Sequence, residues 1–109
     1  MKKSSNTEER LKAKKELLQL KILTDTDWSY FKDKFEVIHP DFFKLLKSLD
    51  FKFTKSEERF LILKKLNLET KDMAQIIGIS NDSVLKTQYR LRKKVGVDKT
   101  VDILKFLSL

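Results

Sequence analysis

Residues 70–97 read "TKDMAQIIGISNDSVLKTQYRLRKKVGV", and two apolar-periodic segments meet there at a glycine. In the first, Met73, Ala74, Ile76 and Ile77 share a helical face, and Gly78 ends the helix as a left-handed stop. Ser80 caps a second helix only two residues later. Two short helices joined by a tight glycine turn form a helix-turn-helix plan. Ala74 is small enough for the backbones to approach, Ile79 is expected to bury into the crossing, and Val84 packs back onto it.

The second helix, about 80–95, carries five basic residues between Lys86 and Lys94 yet keeps Val84, Leu91 and Val95 apolar. At about 100° per residue, Val95, Leu91 and Gln88 fall within roughly 40° of Val84. Asp82, Lys86, Tyr89, Arg90 and Lys93 lie opposite, with Leu85 and Arg92 on the flank. One edge is core; the other is cationic, with an aromatic and an aliphatic residue interleaved.

Working outward, Asp98 or Thr100 starts a following helix bearing Val101, Leu104 and Leu107. Upstream, "TKSE" (54–57) is a capping box in which the Thr54 hydroxyl and Glu57 carboxylate satisfy first-turn N–H groups. Phe60, Leu61, Leu63 and Leu66 mark the helix behind it. Earlier still, Thr24 or Thr26 caps a helix with Trp28, Phe31, Phe35 and Ile38 on one face, ended by His39-Pro40. Asp41 caps a short helix with Phe42, Leu45, Leu46 and Leu49. Residues 1–7 read as frayed, and 8–23 as a helix with a ragged stripe of Leu11, Leu17, Leu18, Leu20 and Ile22. That stripe suits either packing on the domain or a dimerising helix.

Two glycines and one proline in 109 residues leave little for the turns of a sheet protein, so the fold class is all-α. The net charge of +8 is segregated: residues 1–23 and 81–109 each hold seven Lys/Arg against three Asp/Glu, while 24–80 hold ten of each. Charge concentrated at both ends suits a polyanion surface better than general solubility. No cysteine offers a disulfide or thiolate site, and His39 stands as the one histidine, so no metal or other cofactor is expected. The carboxylates at 25–36 alternate with lysines as a solvated face. With no nucleophile–base pair or phosphate-cradling glycine loop, an enzyme with a small-molecule substrate is disfavoured. No apolar run approaches the roughly 20 residues that cross a bilayer, and the start lacks the apolar segment of a signal peptide. A cytoplasmic location is the expectation.

Residues from Phe53 onward resemble the LuxR/GerE-type helix-turn-helix domain. The resemblance rests on Phe53-Thr54 with Glu57, Asp72-Met73-Ala74, Ile77-Gly78-Ile79-Ser80, Ser83-Val84 and Lys94-Val95-Gly96-Val97. It covers about half the chain. More widely, the pattern of Trp28, Phe31, Phe35, His39-Pro40, Phe42-Phe43 and the later "YRLRKK" is similar to the C-terminal output module of Bacteroidetes-type regulators. The likeness implies a four-helix DNA-binding unit at 51–109 after an N-terminal helical extension at 1–50. It also implies homodimers on two-fold related half-sites of double-stranded DNA. The wider likeness implies either the cytoplasmic output piece of a membrane-anchored regulator, following an upstream sensor region, or a small stand-alone regulator. This sequence departs from the pattern at Leu85, where a basic residue is usual, and at Thr87, where histidine is favoured. Leu85 suits a thymine methyl instead. The expected groove-facing residues are Leu85, Lys86, Tyr89 and Arg90. Ser83, Arg92, Lys93 and Lys94 are expected on the phosphate backbone, with Lys71 and Thr70 holding a phosphate at the first helix's positive end. Two rivals remain at this level: a promoter reader resembling sigma-factor region four, and a helical interaction or dimerisation module without DNA.

Overall fold

The computed structural model describes residues 3–109, with the side chains of 3–6 and Leu18 excepted. Among the described residues there are seven helices and no strands: α1 (Lys3–Gln19), α2 (Asp25–Ile38), α3 (Phe42–Ser48), α4 (Lys55–Lys65), α5 (Thr70–Ile77), α6 (Asn81–Val95) and α7 (Ile103–Leu107). The protein is all-α. None of the described helices is long and apolar enough to cross a membrane.

The stripe on α2 is buried as its spacing predicts: Trp28, Phe31, Phe35 and Ile38 all face the core. Phe31 stacks on Trp28 at 5.4 Å, and Phe35 meets the edge of Phe42 at 5.0 Å, so the aromatic pairs take offset and T-shaped geometries. Thr24 caps α2 in a full capping box, its hydroxyl accepting from the Asp27 N–H at 3.1 Å. Asp41 occupies the N-cap of α3 but makes no side-chain cap bond.

α1 runs antiparallel to α2, since Glu16 pairs with Lys34 at 3.2 Å while the earlier Arg10 borders the later His39. Its buried residues are Ala13 and Leu17, a single i, i+4 pair, and Leu11 is exposed. Of the expected stripe, Leu17 and Ile22 pack in the core and Leu20 lies against it, while Leu11 faces out and the Leu18 side chain lies outside the described residues. The helix also begins at Lys3, ahead of Glu8, and stops at Gln19, four residues short of the expected end. It stops because the Ile22 N–H is recruited by the Ile76 carbonyl of α5 at 2.7 Å, which needs extended chain. That bond satisfies one of the carbonyls a helix C-terminus leaves without a partner.

Phe60, Leu61, Ile62 and Leu63 of α4 are all buried. Four consecutive buried positions cover a full helical turn, so α4 is enclosed on every side. α2 covers one side, with the Arg59 guanidinium 4.9 Å from the Trp28 ring centre and Lys32 at 3.7 Å from Glu58. α6 and α7 cover others. One hydrophobic cluster runs from Ala13 to Leu107, without a break at residue 50. α7 starts later than expected: Asp102 caps it, while Asp98 and Thr100 bond each other in the preceding turn. It buries Ile103 and Leu107 in the core and leaves Phe106 exposed.

His39, at the end of α2, is half-buried and pushed down to about 4 by burial and by the charges of Lys65, Arg10 and Lys14. The folded state thus resists a proton that the unfolded state accepts near 6.5. Stability is full above pH 6.5 and falls as the pH drops toward 4. Between pH 7 and pH 5 the expected loss is roughly 1–2 kcal/mol, discounted for the ring's partial exposure. Urea denaturation of wild type and His39→Gln at both pH values checks this; the variant should lose almost nothing over that window.

Candidate nucleic-acid interface

The backbone between α5 and α6 is fixed by a short sequence of local bonds. Gly78 takes φ +80 and ψ 33. This left-handed turn lets two successive N–H groups, of Gly78 and Ile79, donate to the Ala74 carbonyl at 2.8 and 3.0 Å. The Ser80 hydroxyl then accepts from the Ser83 N–H at 3.1 Å and opens α6. Ala74 and Val84 are buried where the two helices meet. Ile79, expected inside the crossing, is 42% exposed instead. The left-handed glycine swings it to the lip of a 160 Å³ cavity that it lines with Phe60, Met73 and Val84.

A Cβ at Gly78 would lie 2.8 Å from the Leu23 side chain. Gly96, closing α6, has the same φ of +81 and nothing within 4 Å. Alanine at either position carries the left-handed strain, about 1–2 kcal/mol. Gly78→Ala is expected to exceed Gly96→Ala by a few tenths, because Leu23 is exposed and its end can move. In a Leu23→Ala background the two should match. Urea midpoints of the four variants make the comparison.

α6 buries Val84, Thr87, Leu91 and Val95. The buried arc thus takes in Thr87, whose hydroxyl donates to the Ser83 carbonyl at 3.2 Å, while Gln88 is only half-buried. On the outer side Ser83, Leu85, Lys86, Tyr89, Arg90 and Lys93 are all exposed and brought together on about three turns. Their internal ties are slight. Lys86 pairs with Asp82 at 3.3 Å across an exposed helical turn, worth a few tenths of a kcal/mol. Arg90 reaches the Thr87 hydroxyl at 3.4 Å, and the Lys93 ammonium lies 5.6 Å from the Tyr89 ring centre. Among the described residues, nothing outside α6 pairs with these charges.

Two residues expected on the same surface are held elsewhere. The Lys94 ammonium bonds Glu57 Oε1 and the Lys52 carbonyl, each at 2.6 Å, and borders the Phe53 ring. Arg92 donates from one guanidinium nitrogen to the Asp98 and Val101 carbonyls, both at 2.7 Å. Both serve as internal clamps, Lys94 fixing α6 to the start of α4 and Arg92 holding the turn after α6. In this structure their cationic groups are turned toward these internal partners and not toward the outer face of α6. Lys71 is exposed in the first turn of α5, whose N-cap Glu69 makes no side-chain bond to the helix. Thr70 beside it is half-buried.

The turn held by Arg92 brings Val97 and Lys99 beside α6, where with Leu85 and Tyr89 they border an open groove of about 370 Å³. Lys99 escaped the helical wheel because it lies outside α6; its only sequence signal is its place just after "VGVD". Among the described residues no three His, Asp or Glu side chains converge as a metal site would need. No protein-family model, curated protein or solved structure matches the chain.

Proposed function

We propose that this protein binds double-stranded DNA sequence-specifically as a transcriptional regulator, with α5 and α6 as a helix-turn-helix and α6 in the major groove. The observation that carries the reading is the outer face of α6. Lys86, Tyr89, Arg90 and Lys93 are exposed there on a helix whose other edge is locked into the core by Val84, Thr87, Leu91 and Val95. A cationic face on a rigidly mounted helix can enter the groove without refolding. Lys86, Tyr89 and Arg90 meet base edges; Ser83 and Lys93 meet phosphates, and Lys71 steadies the backbone from α5. Binding takes no cofactor and involves no catalysis. α4 to α7 form the LuxR/GerE-like unit. A second copy docks on α7 through the exposed Phe106, giving the two-fold arrangement that a weak single module needs.

Selection of binders from a random duplex pool tests this, followed by salt titration on the enriched sequence and on a scrambled one. A two-fold motif bound about 10³-fold tighter than the scramble is expected. Equal, steeply salt-dependent binding to both would reduce α6 to a non-specific polyanion contact. Within the selected site, Lys86→Ala and Tyr89→Ala should change which sequences are enriched, while Lys93→Ala should weaken all of them alike. Uniform losses for all three variants would remove the division into reading and anchoring residues.

A further inference from the structure

The face of α6 assigned to DNA carries two apolar side chains whose exposure the fold does not require. Leu85 is 51% exposed and Tyr89 63%. They stand at i and i+4, one above the other and about 6 Å apart, close to two base-pair steps along a duplex. The groove they border is walled on its far side by Val97. That wall is fixed, because the Val97 N–H donates to the Arg92 carbonyl at 3.0 Å and the Arg92 guanidinium holds the next turn. The Lys93 ammonium lies 5.6 Å from the Tyr89 ring centre, a weak contact on so exposed a ring. The groove is lined by Lys93, Lys99 and Arg92 against the single carboxylate Asp98, with Lys86 on the next part of the same helix face, and so suits a ligand that is anionic outside and apolar at its point of contact. In the major groove one base edge offers an apolar group, the C5-methyl of thymine.

We infer that Leu85 and Tyr89, with Val97 behind them, seat thymine C5-methyl groups, so that each half-site is read through methyl contact at positions flanked by phosphates. The inference rests on the DNA-binding reading above. It specifies methyl recognition where a basic face alone would read guanine.

The test removes the methyl and nothing else. In the selected duplex each thymine is replaced singly by uracil, which preserves pairing and every hydrogen-bonding group. Affinities are measured for the full chain, Leu85→Ala and Tyr89→Ala, with circular dichroism confirming that the variants fold. At one or more positions per half-site, uracil should weaken wild type about three- to tenfold, the worth of one desolvated methyl. At those positions one of the two variants should show no further loss on uracil. Wild-type affinity unchanged at every uracil position would overturn this inference while leaving specific binding intact. So would uracil penalties that persist undiminished in both variants. A pool that yields no enriched motif overturns the DNA reading and this inference together.

Discussion

Lys86→Glu/Arg90→Glu is expected to weaken binding to the selected duplex by at least about 10³-fold, by removing two base-edge contacts of about 1–3 kcal/mol each and adding repulsion. The loss should exceed that of the double alanine variant by an amount that shrinks with added salt, because the added repulsion is screened. The fold should not notice. Lys86 has one exposed ion pair and Arg90 one long hydrogen bond, so the stability change stays within about 0.5 kcal/mol. Reversing Lys86 does place two carboxylates at i and i+4 with Asp82, which belongs inside that allowance. Fluorescence anisotropy on labelled duplex, beside urea denaturation of the same samples, separates the two effects. Binding within threefold of wild type would sink the assignment of this face to DNA.

Much of the helical layout was legible because the signals are local. The i, i+3, i+7, i+10 spacing of Trp28, Phe31, Phe35 and Ile38 names one face whatever covers it. The capping box at Thr54 and Glu57 and the left-handed Gly78 depend on a few neighbouring residues each. What was not legible depends on partners distant in sequence. α1 stops at Gln19 because a carbonyl at Ile76 takes the Ile22 N–H, over fifty residues away. Lys94 and Arg92 are expected on the phosphate backbone from their place on a basic helix, but a helix position locates the Cα and not the end of a flexible stem. Lys94 turns toward Glu57, thirty-seven residues earlier. Thr87 stands about 60° from Val84 on the wheel, and it is buried because α4 sits on that side of α6.

Lys94→Met is expected to cost about 3 kcal/mol at pH 7, and to lose a good part of that deficit on acidification. Glu57 is 3% exposed, and its Oε1 accepts from both the Lys94 ammonium at 2.6 Å and the Thr54 N–H at 2.9 Å. Burial pushes its carboxyl upward, but the Lys94 ammonium and the Thr54 N–H and hydroxyl outweigh this and hold it below its ordinary value. In wild type that stabilisation is present above the unfolded carboxyl value and is lost as the pH falls through the folded one. Without Lys94 two of the effects that hold the carboxyl down are gone, so burial pushes it above its position in wild type and its protonated form is better tolerated than there. The stability gap between the two proteins should therefore narrow from pH 7 to pH 4.5, and taking the difference cancels the His39 contribution common to both. Glu57→Gln/Lys94→Met, which retains an acceptor for the Thr54 N–H while removing both charges, should recover at least about 1 kcal/mol over Lys94→Met. Because the ammonium is committed inside the fold, the folded Lys94→Met protein should bind the selected duplex within threefold of wild type. A pH-independent gap would show that Glu57 gains its stabilisation from the helix cap and not from Lys94. A tenfold loss of DNA affinity at unchanged stability would return Lys94 to the phosphate-contacting surface.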